Sequence, residues 1–408
     1  QVELSSYQSD QKELFNKLET SVKNRLAADV PIGTFLSGGI DSSIITMLAA
    51  RHVEGLNSFS IGFRDHPFFD ETKYARILAK HAKTNHSVFS LTNDDLLENL
   101  FNILDYIDEP FADSSAIPVW LLSQRAKKHI TVALSGDGAD ELFSGYNKHY
   151  AEYKARNPGI AGRLLKGITP LISILPQSRN KKFSNLSRQL IKYSKGVKLN
   201  PKLRYWRWAG ILDEEEANFL IKEEETQKIH RISDKAFQYK KRKDFYLQNI
   251  RKNGDLNDVL YTDMHLVLPN DMLVKVDSLS MAHGLEVRVP FLDHNVVEFA
   301  FTLPAEFKIN AIKRKKILLD TFGSLLPQEL LTRPKKGFEV PLLAWFKHEL
   351  RSLIEDLLSD QFIMEQGIFN NDAVARLKSK LFSKNPGDSA ATAWALIVFQ
   401  HWWKKYNA

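Results

Sequence analysis

The sequence predicts a doubly wound α/β fold with a parallel sheet, followed by a mainly helical C-terminal part. Two observations predict this. Short apolar runs of strand length alternate with helical patterns over the first 150 residues, and beyond them long amphipathic patterns with few β-branched runs take over. Strands that alternate with helices of this length imply right-handed crossovers and a sheet covered on both faces.

The individual elements can be read in order. Strands are predicted at 32–36, 58–63, 86–89 and 130–134, and helices at 42–53, 71–82, 96–104 and 117–128. The strand segments are short apolar runs, which suit a sheet buried on both faces. We predict a linker remnant at 1–13, an α/β core at 14–150 and a helical part at 151–408 that completes the domain.

Composition excludes several kinds of chemistry. The 408 residues contain no cysteine, which rules out disulfides, Cys-ligated zinc, iron–sulfur clusters and a thiol nucleophile on this polypeptide. The longest apolar stretch, 164–176, includes Lys166, Gly167 and two prolines and falls short of the roughly 20 residues that a membrane span needs. The first residues show no signal-peptide pattern, so we predict a cytoplasmic protein without membrane contact.

The charge balance is basic, with 56 Lys+Arg against 49 Asp+Glu and a net charge of +7. The cations fall into dispersed short runs, including 240–243 and 313–316, with acidic runs between them. Such runs are typical of solvated helix faces. We therefore predict no nucleic-acid partner, because a basic stripe or groove is missing.

The first motif that carries chemistry follows the strand at 32–36 and precedes a helix. It reads Ser37-Gly38-Gly39-Ile40-Asp41-Ser42-Ser43. Tandem glycines allow close approach of the backbone to a phosphate, the serines supply hydroxyls, and the helix N-terminus supplies free N–H groups. It matches neither the Walker nor the dinucleotide fingerprint. Asp41 would repel phosphate unless a Mg²⁺ ion lies between them, so the loop predicts a metal–nucleotide site.

A second polar motif follows the strand at 130–134, namely Ser135-Gly136-Asp137-Gly138-Ala139-Asp140-Glu141. Loops after the carboxyl ends of parallel strands share one crevice, so the two motifs are expected to meet there. Asp41 and Asp140 would then hold one Mg²⁺ together. Asp137 or Glu141 would remain for acid–base or substrate duties.

These motifs resemble the synthetase domain of the glutamine-dependent asparagine synthetase B family, with its pyrophosphatase loop. The likeness continues through further segments in the family's order and covers most of the chain, from about Leu14 to Trp403. Those segments are Asp108-Glu109-Pro110-Phe111-Ala112-Asp113-Ser114-Ser115-Ala116-Ile117-Pro118, 273–277, 281–293 and Arg333-Pro334-Lys335-Lys336-Gly337-Phe338.

The resemblance implies a reaction and a set of roles. ATP would activate the side-chain carboxylate of aspartate as β-aspartyl-AMP with loss of pyrophosphate, and ammonia would displace AMP to give asparagine. The residues that would hold ATP or pyrophosphate are Leu36, Ser37, Gly38, Gly39, Asp41, Ser42, Ser43, Ile61, Ser135 and Gly136, with Leu36, Ile61, Ser135 and Gly136 bordering the adenine and ribose. The other implied roles are Mg²⁺ binding by Asp41 and Asp140, catalysis by Asp137 and Lys335, and substrate contact by Glu141, Glu286 and Arg288.

Three alternatives stay open at this stage. Related enzymes act on other carboxylates, closing β-lactam or macrocyclic rings or amidating sugar acids. A tRNA-modifying enzyme with the same loop, or a nucleotide-binding regulatory module without turnover, belongs to a different class. Glu286 and Arg288 have a structural alternative as an ion pair. The resemblance also implies that a glutaminase domain or subunit, with its N-terminal cysteine, is separate from this chain.

Overall fold

The computed structural model describes residues 4–158, 176–177, 182–222, 233–333 and 339–407. Its sheet contains five strands, all of them paired in parallel, in the order β3-β2-β1-β4-β5. These are β1 Ile32–Phe35, β2 Asn57–Phe63, β3 Asn85–Leu91, β4 Val132–Leu134 and β5 Glu286–Arg288. The strand order reverses direction between β1 and β4, and such a switch point opens a crevice at the carboxyl ends of the strands.

Helices make up most of the remaining described chain. In the first half they are α1 Leu4–Arg25, α2 Ile40–Ala50, α3 Thr72–Ala82, α4 Asn93–Tyr106, α5 Ala116–Ala126, α6 Ala139–Phe143 and α7 Asn147–Arg156. The middle of the chain has α8 Lys182–Gly196, α9 Pro201–Ala209, α10 Glu214–Leu220, α11 Ser233–Leu247 and α12 Asn257–His265.

The remaining helices follow a π-helical turn at Leu268–Met272. They are α13 Leu273–Met281, α14 His294–Thr302, α15 Ala305–Lys308, α16 Lys316–Phe322, α17 Gln328–Thr332, α18 Leu342–Lys347, α19 Arg351–Leu357, α20 Asp360–Gln366, α21 Asn371–Phe382 and α22 Ser389–Asn407. Short 3₁₀ turns lie at Pro290–Leu292 and Gly323–Leu325.

The predicted fold class is confirmed, and each predicted strand and helix of the first 150 residues is found with its ends moved by a few residues. The strand β5 was not predicted. It has only three residues and belongs to the half that reads as helical, and it forms because Glu286–Arg288 pairs in register with β4. Short strands that depend on a distant partner leave little periodicity in the sequence.

Helix α1 includes much of the segment predicted as a linker. Tyr7 lies edge-on against Phe307, 4.5 Å between ring centroids, and its hydroxyl donates to Asp320 at 2.8 Å. Leu14, Leu18 and Val22 of the same helix belong to the buried core that also packs against α2. These tertiary contacts order a segment whose local sequence is polar. The domain boundaries at 13 and 150 stay a prediction.

The chain divides into two contact units that are discontinuous in sequence. The first comprises Gln1–Ile103, Ser115–Tyr153 and Asp255–Val340, and the second comprises Leu104–Ser114, Lys154–Gly254 and Pro341–Ala408. The Asp255–Val340 segment belongs to the first unit because it supplies β5 and part of the core beside α1 and α2. The sheet and both predicted motif loops therefore lie in the first unit.

Among the described helices, none combines the length and apolarity needed to cross a membrane. The apolar stretch at 164–176, apart from Pro176, lies outside the described residues.

Candidate active site at the carboxyl ends of β1 and β4

The first loop, residues 36–39, is closed by its own serines. The Gly39 N–H donates to the Ser37 hydroxyl at 3.2 Å, and the hydroxyls of Ser37 and Ser42 lie 3.1 Å apart. The Ser42 hydroxyl also donates to the Gly39 carbonyl at 3.2 Å. Ser43 is fully buried, and within the described residues its hydroxyl has no hydrogen-bond partner. The serine hydroxyls and the backbone N–H groups at the start of α2 therefore lie together in one turn, which is the arrangement that binds a phosphate at a helix N-terminus.

Gly38 can be replaced by no larger residue without distortion. Its φ is +73°, and a Cβ at this position would lie 2.6 Å from the Ala75 nitrogen and 2.8 Å from the Tyr74 Cβ. The left-handed conformation and the close approach of α3 both require glycine here. The first loop is therefore held against α3 by backbone contact.

The second loop, residues 135–138, lies directly against the part of the first motif that forms the start of α2. A Cβ added to Gly136 would lie 2.6 Å from the Ser42 nitrogen and 2.8 Å from the Asp41 carbonyl carbon. The predicted meeting of the two motifs is confirmed. It follows from the pairing of β1 with β4, because Thr34 lies opposite Leu134 and the chains leave the sheet side by side.

Asp41 and Asp140 converge on one cation, the ammonium of Lys315. Lys315 donates to both carboxylate oxygens of Asp41, at 2.6 and 2.5 Å, and also pairs with Asp140. The Lys315 side chain is only 6% exposed. Burial would lower its pKa, but the two carboxylates outweigh burial and raise it, so the ammonium stays charged.

The cluster is tightly enclosed. A Cβ on Gly145 would lie 1.6 Å from an oxygen of Asp140 and 2.2 Å from the Lys315 Cε. Only glycine at this position leaves space for the Asp140 and Lys315 side chains. Lys315 itself has a φ of +51°. This left-handed conformation costs a non-glycine residue about 1 kcal/mol, and such strain concentrates at functional sites.

Lys315 was missed by the sequence analysis, and the solvated interpretation of the 313–316 run is wrong for this residue. Lys313 is half exposed and pairs with Asp320 at the surface, whereas Lys315 is 5% exposed. Both belong to one basic run, and nothing in its local pattern separates them. The separation arises because Lys315 precedes α16 and contacts a carboxylate 274 residues away.

Asp137 lies beside these carboxylates. Its carboxylate accepts a hydrogen bond from the Ser135 hydroxyl at 2.7 Å. Burial raises the pKa of Asp137, as do Asp41 and Asp140, and together they outweigh the lowering by buried Lys275 and by the Ser135 hydrogen bond. A raised pKa makes a carboxylate a stronger proton acceptor.

Glu141 points into a buried polar network rather than to solvent. Burial, with Asp140 next, raises the pKa of Glu141 to about 7, and the Tyr146 hydroxyl donates to it at 2.6 Å. Beyond it, fully buried Asp263 bonds to His149 at 2.6 Å and to Lys148 at 2.7 Å. This network joins α6, α7 and α12 behind the second loop and was also missed by the sequence analysis.

The other predicted residues fall into three groups. Leu36, directly after β1, and Ile61 of β2 are both buried, and the Leu36 N–H donates to the Phe59 carbonyl at 2.8 Å. Arg288 donates to Glu286 at 2.7 Å. It also donates to the carbonyls of Arg25, the last residue of α1, and of Ala27 just beyond it. These contacts form the ion pair that the sequence analysis gave as the alternative to substrate binding by Glu286 and Arg288. Lys335 lies outside the described residues.

Comparison with known proteins gives a consistent match. The family model described as asparagine synthase matches residues 13–404. The chain is 32% identical over 397 residues to asparagine synthetase [glutamine-hydrolyzing] 1 of Bacillus subtilis, covering 96% of this chain and 58% of that protein. It is 30% identical over 403 residues to a putative asparagine synthetase [glutamine-hydrolyzing] of Mycobacterium tuberculosis, covering 94% and 56%.

A eukaryotic relative agrees with these two. The chain is 33% identical over 361 residues to a probable asparagine synthetase [glutamine-hydrolyzing] of Schizosaccharomyces pombe, covering 81% of this chain and 46% of that protein. The chain thus spans between 46% and 58% of the length of these relatives.

Proposed function

The chain belongs to the asparagine synthase family, and we propose that it is an ATP-dependent ligase that joins ammonia to the side-chain carboxylate of aspartate. The first half-reaction would transfer AMP to the carboxylate and release pyrophosphate. In the second, ammonia would attack the acyl carbon, lose a proton and expel AMP, leaving asparagine.

The observation that supports this proposal most strongly is that Asp41 and Asp140 both pair with Lys315. The two carboxylates follow the two loops that we propose to bind ATP. Adenylation brings an anionic carboxylate to an anionic triphosphate and builds further negative charge on pyrophosphate. A site for this step needs cations beside N–H and hydroxyl donors. The first loop, the start of α2 and Lys315 offer this combination.

The residues fit a magnesium ion bound together with the nucleotide. Asp41 and Asp140 both contact the ammonium of Lys315, so their carboxylates can reach one shared cation. The described residues contain no cluster of three or more metal-ligating side chains. Mg²⁺ is usually held by one or two carboxylates plus substrate phosphates, so this pair is a sufficient protein contribution. Asp41 and Asp140 would hold the ion, which would neutralise phosphate charge.

Lys315 would then act as a phosphate ligand. Its ammonium is the counter-charge of two carboxylates. A Mg²⁺ ion held by those carboxylates would supply their counter-charge, and the ammonium would then neutralise phosphate oxygens. Lys335 remains a proposed second cation for the α-phosphate. Asp137, with its raised pKa, is the proposed base that accepts the proton from the attacking ammonia.

The relatives are named glutamine-hydrolyzing, and this chain spans just over half of their length. We propose that these 408 residues accept ammonia supplied either in solution or by a glutaminase partner. The acceptor is proposed as aspartate, with other carboxylates as the alternatives to be tested.

The test is release of pyrophosphate from ATP and Mg²⁺ in ammonium chloride, with and without L-aspartate, and product identification by mass spectrometry. We expect AMP, pyrophosphate and asparagine, all dependent on aspartate. Binding of ATP without release of pyrophosphate in the presence of aspartate would contradict the proposed acceptor, and release with another carboxylate would identify the alternative.

Variants separate the site from the fold. Asp41→Asn and Asp140→Asn are each expected to lower pyrophosphate release by about 10²–10³-fold, because each removes one of the two carboxylates proposed to hold the Mg²⁺ that neutralises phosphate charge. Asp360→Asn is a matched control, since Asp360 is exposed on α20 and forms a surface pair with Lys378. Pyrophosphate release that is unchanged in Asp140→Asn would refute its assignment.

A further inference from the structure

A cleft of about 300 Å³ lies within the second contact unit. Its walls come from α8, α9, α10 and α21 and from the first turn of α22. The proposed catalytic residues Asp41, Asp137, Asp140 and Lys315 belong to the first contact unit and do not line it. The volume is at the lower end of the range for small-molecule sites in proteins.

The lining of the cleft carries an excess of positive charge. Six cationic residues face three carboxylates, an excess of three positive charges. The cations are Arg188, Lys192, Lys195, Arg207, Arg376 and Lys380. Charges of one sign on the walls of a concave surface reinforce one another, and low-dielectric walls focus their field.

The three carboxylates are already engaged by neighbours. Asp388 pairs with Arg188 at 2.9 Å, and Asp213 pairs with Arg207 while accepting from the first turn of α10. Glu216 completes the capping box of that helix by accepting from the Asp213 N–H at 3.2 Å. The acidic groups therefore neutralise the walls only locally.

Three cations of the cleft have no carboxylate within ion-pair distance, although Lys195 helps to lower the pKa of Asp213 from farther away. Within the described residues, Lys195, Arg376 and Lys380 form no ion pair. Arg376 instead lies over the ring of Phe219, with its guanidinium carbon 5.2 Å from the ring centroid. The three cations come from two helices that both line the cleft, Lys195 from α8 and the other two from α21.

Between the cations the cleft is apolar. Ile191 is buried in its wall, whereas Ile211 and Phe219 are 41% and 48% exposed. Apolar side chains left in water at the edge of a concave site gain free energy when a ligand covers them. The lining thus combines a cationic rim with an apolar surface, which neither a bare phosphate nor a neutral hydrocarbon would match.

We propose that this cleft binds a small organic anion with an apolar body, such as an aryl or alkyl carboxylate or sulfonate. The anionic group would lie among Lys195, Arg376 and Lys380, and the apolar body would cover Phe219 and Ile211. The site is distinct from the proposed catalytic residues, and its ligand does not depend on the proposed function.

The test uses the folded 408-residue chain and 8-anilinonaphthalene-1-sulfonate, a dye with an aromatic body and one sulfonate that becomes fluorescent in apolar surroundings. Titration at low ionic strength is expected to show one saturable site whose Kd rises with added salt. Octanoate should displace the dye, and inorganic phosphate at equal ionic strength should not.

Two matched double variants assign the site. Lys195→Glu with Lys380→Glu is expected to raise the Kd of the dye at least about tenfold. Lys198→Glu with Lys384→Glu makes the same change of net charge at exposed positions three and four residues away, outside the lining, and should change the Kd less than about twofold. Phe219→Ser should weaken dye binding without altering the salt dependence.

Three results would overturn the proposal. They are the absence of a saturable dye site, equal effects of the two double variants, and displacement by phosphate as effective as by octanoate. The dye also binds partly unfolded chains, so thermal unfolding of each variant is recorded. If the unfolding temperature of the Lys195→Glu, Lys380→Glu variant falls, Arg376→Gln replaces it.

Discussion

The cluster at the two loops and the cleft of the second unit both concentrate charge, but they balance it differently. Around Lys315, two carboxylates and one ammonium are largely buried and bonded to one another. Around the cleft, Lys195, Arg376 and Lys380 are exposed and have no ion-pair partner within the described residues. A buried charge must be compensated by the chain itself, whereas an exposed one can leave this to water or to a ligand.

The largest effect is expected from a variant that breaks the buried cluster of Lys315, Asp41 and Asp140. Lys315→Met leaves Asp41 and Asp140 facing each other without a cation, and we expect a loss of about 3–5 kcal/mol in the free energy of unfolding. Chemical denaturation measures it. Lys313→Met is the matched control, because Lys313 is half exposed and its pair with Asp320 is at the surface.

The same variant tests, without any activity assay, whether Asp41 and Asp140 can bind Mg²⁺. Mg²⁺ should raise the unfolding temperature of Lys315→Met more than that of the unmodified chain, because the ion can replace the lost ammonium between the two carboxylates. Equal responses to Mg²⁺ in both proteins would count against Asp41 and Asp140 as metal ligands.

A second effect is expected at Asp137, the half-buried carboxylate beside Lys315, Asp41 and Asp140. Asp137→Asn removes the proposed proton acceptor while keeping its size, so amide formation should slow by about 10²–10³-fold. Pyrophosphate release measured over a single turnover should change much less. A parallel fall of both steps would mean that Asp137 serves nucleotide binding instead.

A third prediction concerns a buried cation that lacks such compensation. Lys308 is fully buried, donates to Asn257 at 2.8 Å and lies 4.7 Å from the ring centroid of Phe301. Burial lowers its pKa from 10.5 to about 7, and Asp255 offsets this only in part. Above about pH 7 the neutral amine of Lys308 is therefore the favoured form in the folded chain.

The consequence is a stability that depends on pH. Because the unfolded chain binds more protons than the folded one between pH 7 and 10.5, the free energy of unfolding should rise with pH in that window. Between pH 6 and 9 the contribution amounts to about 2–3 kcal/mol. Lys308→Met should reduce this rise in denaturation curves, whereas Lys313→Met should preserve it.

The smallest effect is expected where both charges are exposed. Arg351 and Glu355 on α19 bond at 2.8 Å, yet their side chains are 57% and 61% exposed. Glu355→Gln should change the free energy of unfolding by less than about 0.5 kcal/mol. A loss comparable to that of Lys315→Met would refute the claim that burial, rather than distance, sets the cost.

Much of the fold and part of the candidate site could be predicted because the signals are local. The strand and helix patterns from 32 to 134 set the α/β order, and the two loops follow directly after strands. The proximity of Asp41 and Asp140 followed from the rule that adjacent parallel strands end at the same edge. The pairing of Glu286 with Arg288 had been considered as an alternative and is what the side chains form.

Other features could not be predicted because they depend on contacts between distant segments. Strand β5 exists through its register with β4, and the start of α1 is ordered by Phe307 and Asp320. His149 and Asp263 come together from helices more than a hundred residues apart. A three-residue strand or a single buried histidine produces no periodic pattern from which it could be recognised.

The sequence by itself determined the order of strands and helices, the two loops and the family resemblance, since these depend on periodicity and on residues adjacent in the chain. Only the tertiary structure decided which charges are buried. Within the run from Lys313 to Lys316, one lysine became the counter-charge of Asp41 and Asp140 while its neighbour stayed at the surface. That choice depends on the approach of the segment before α16 to the loops, and burial arises from such packing rather than from local composition.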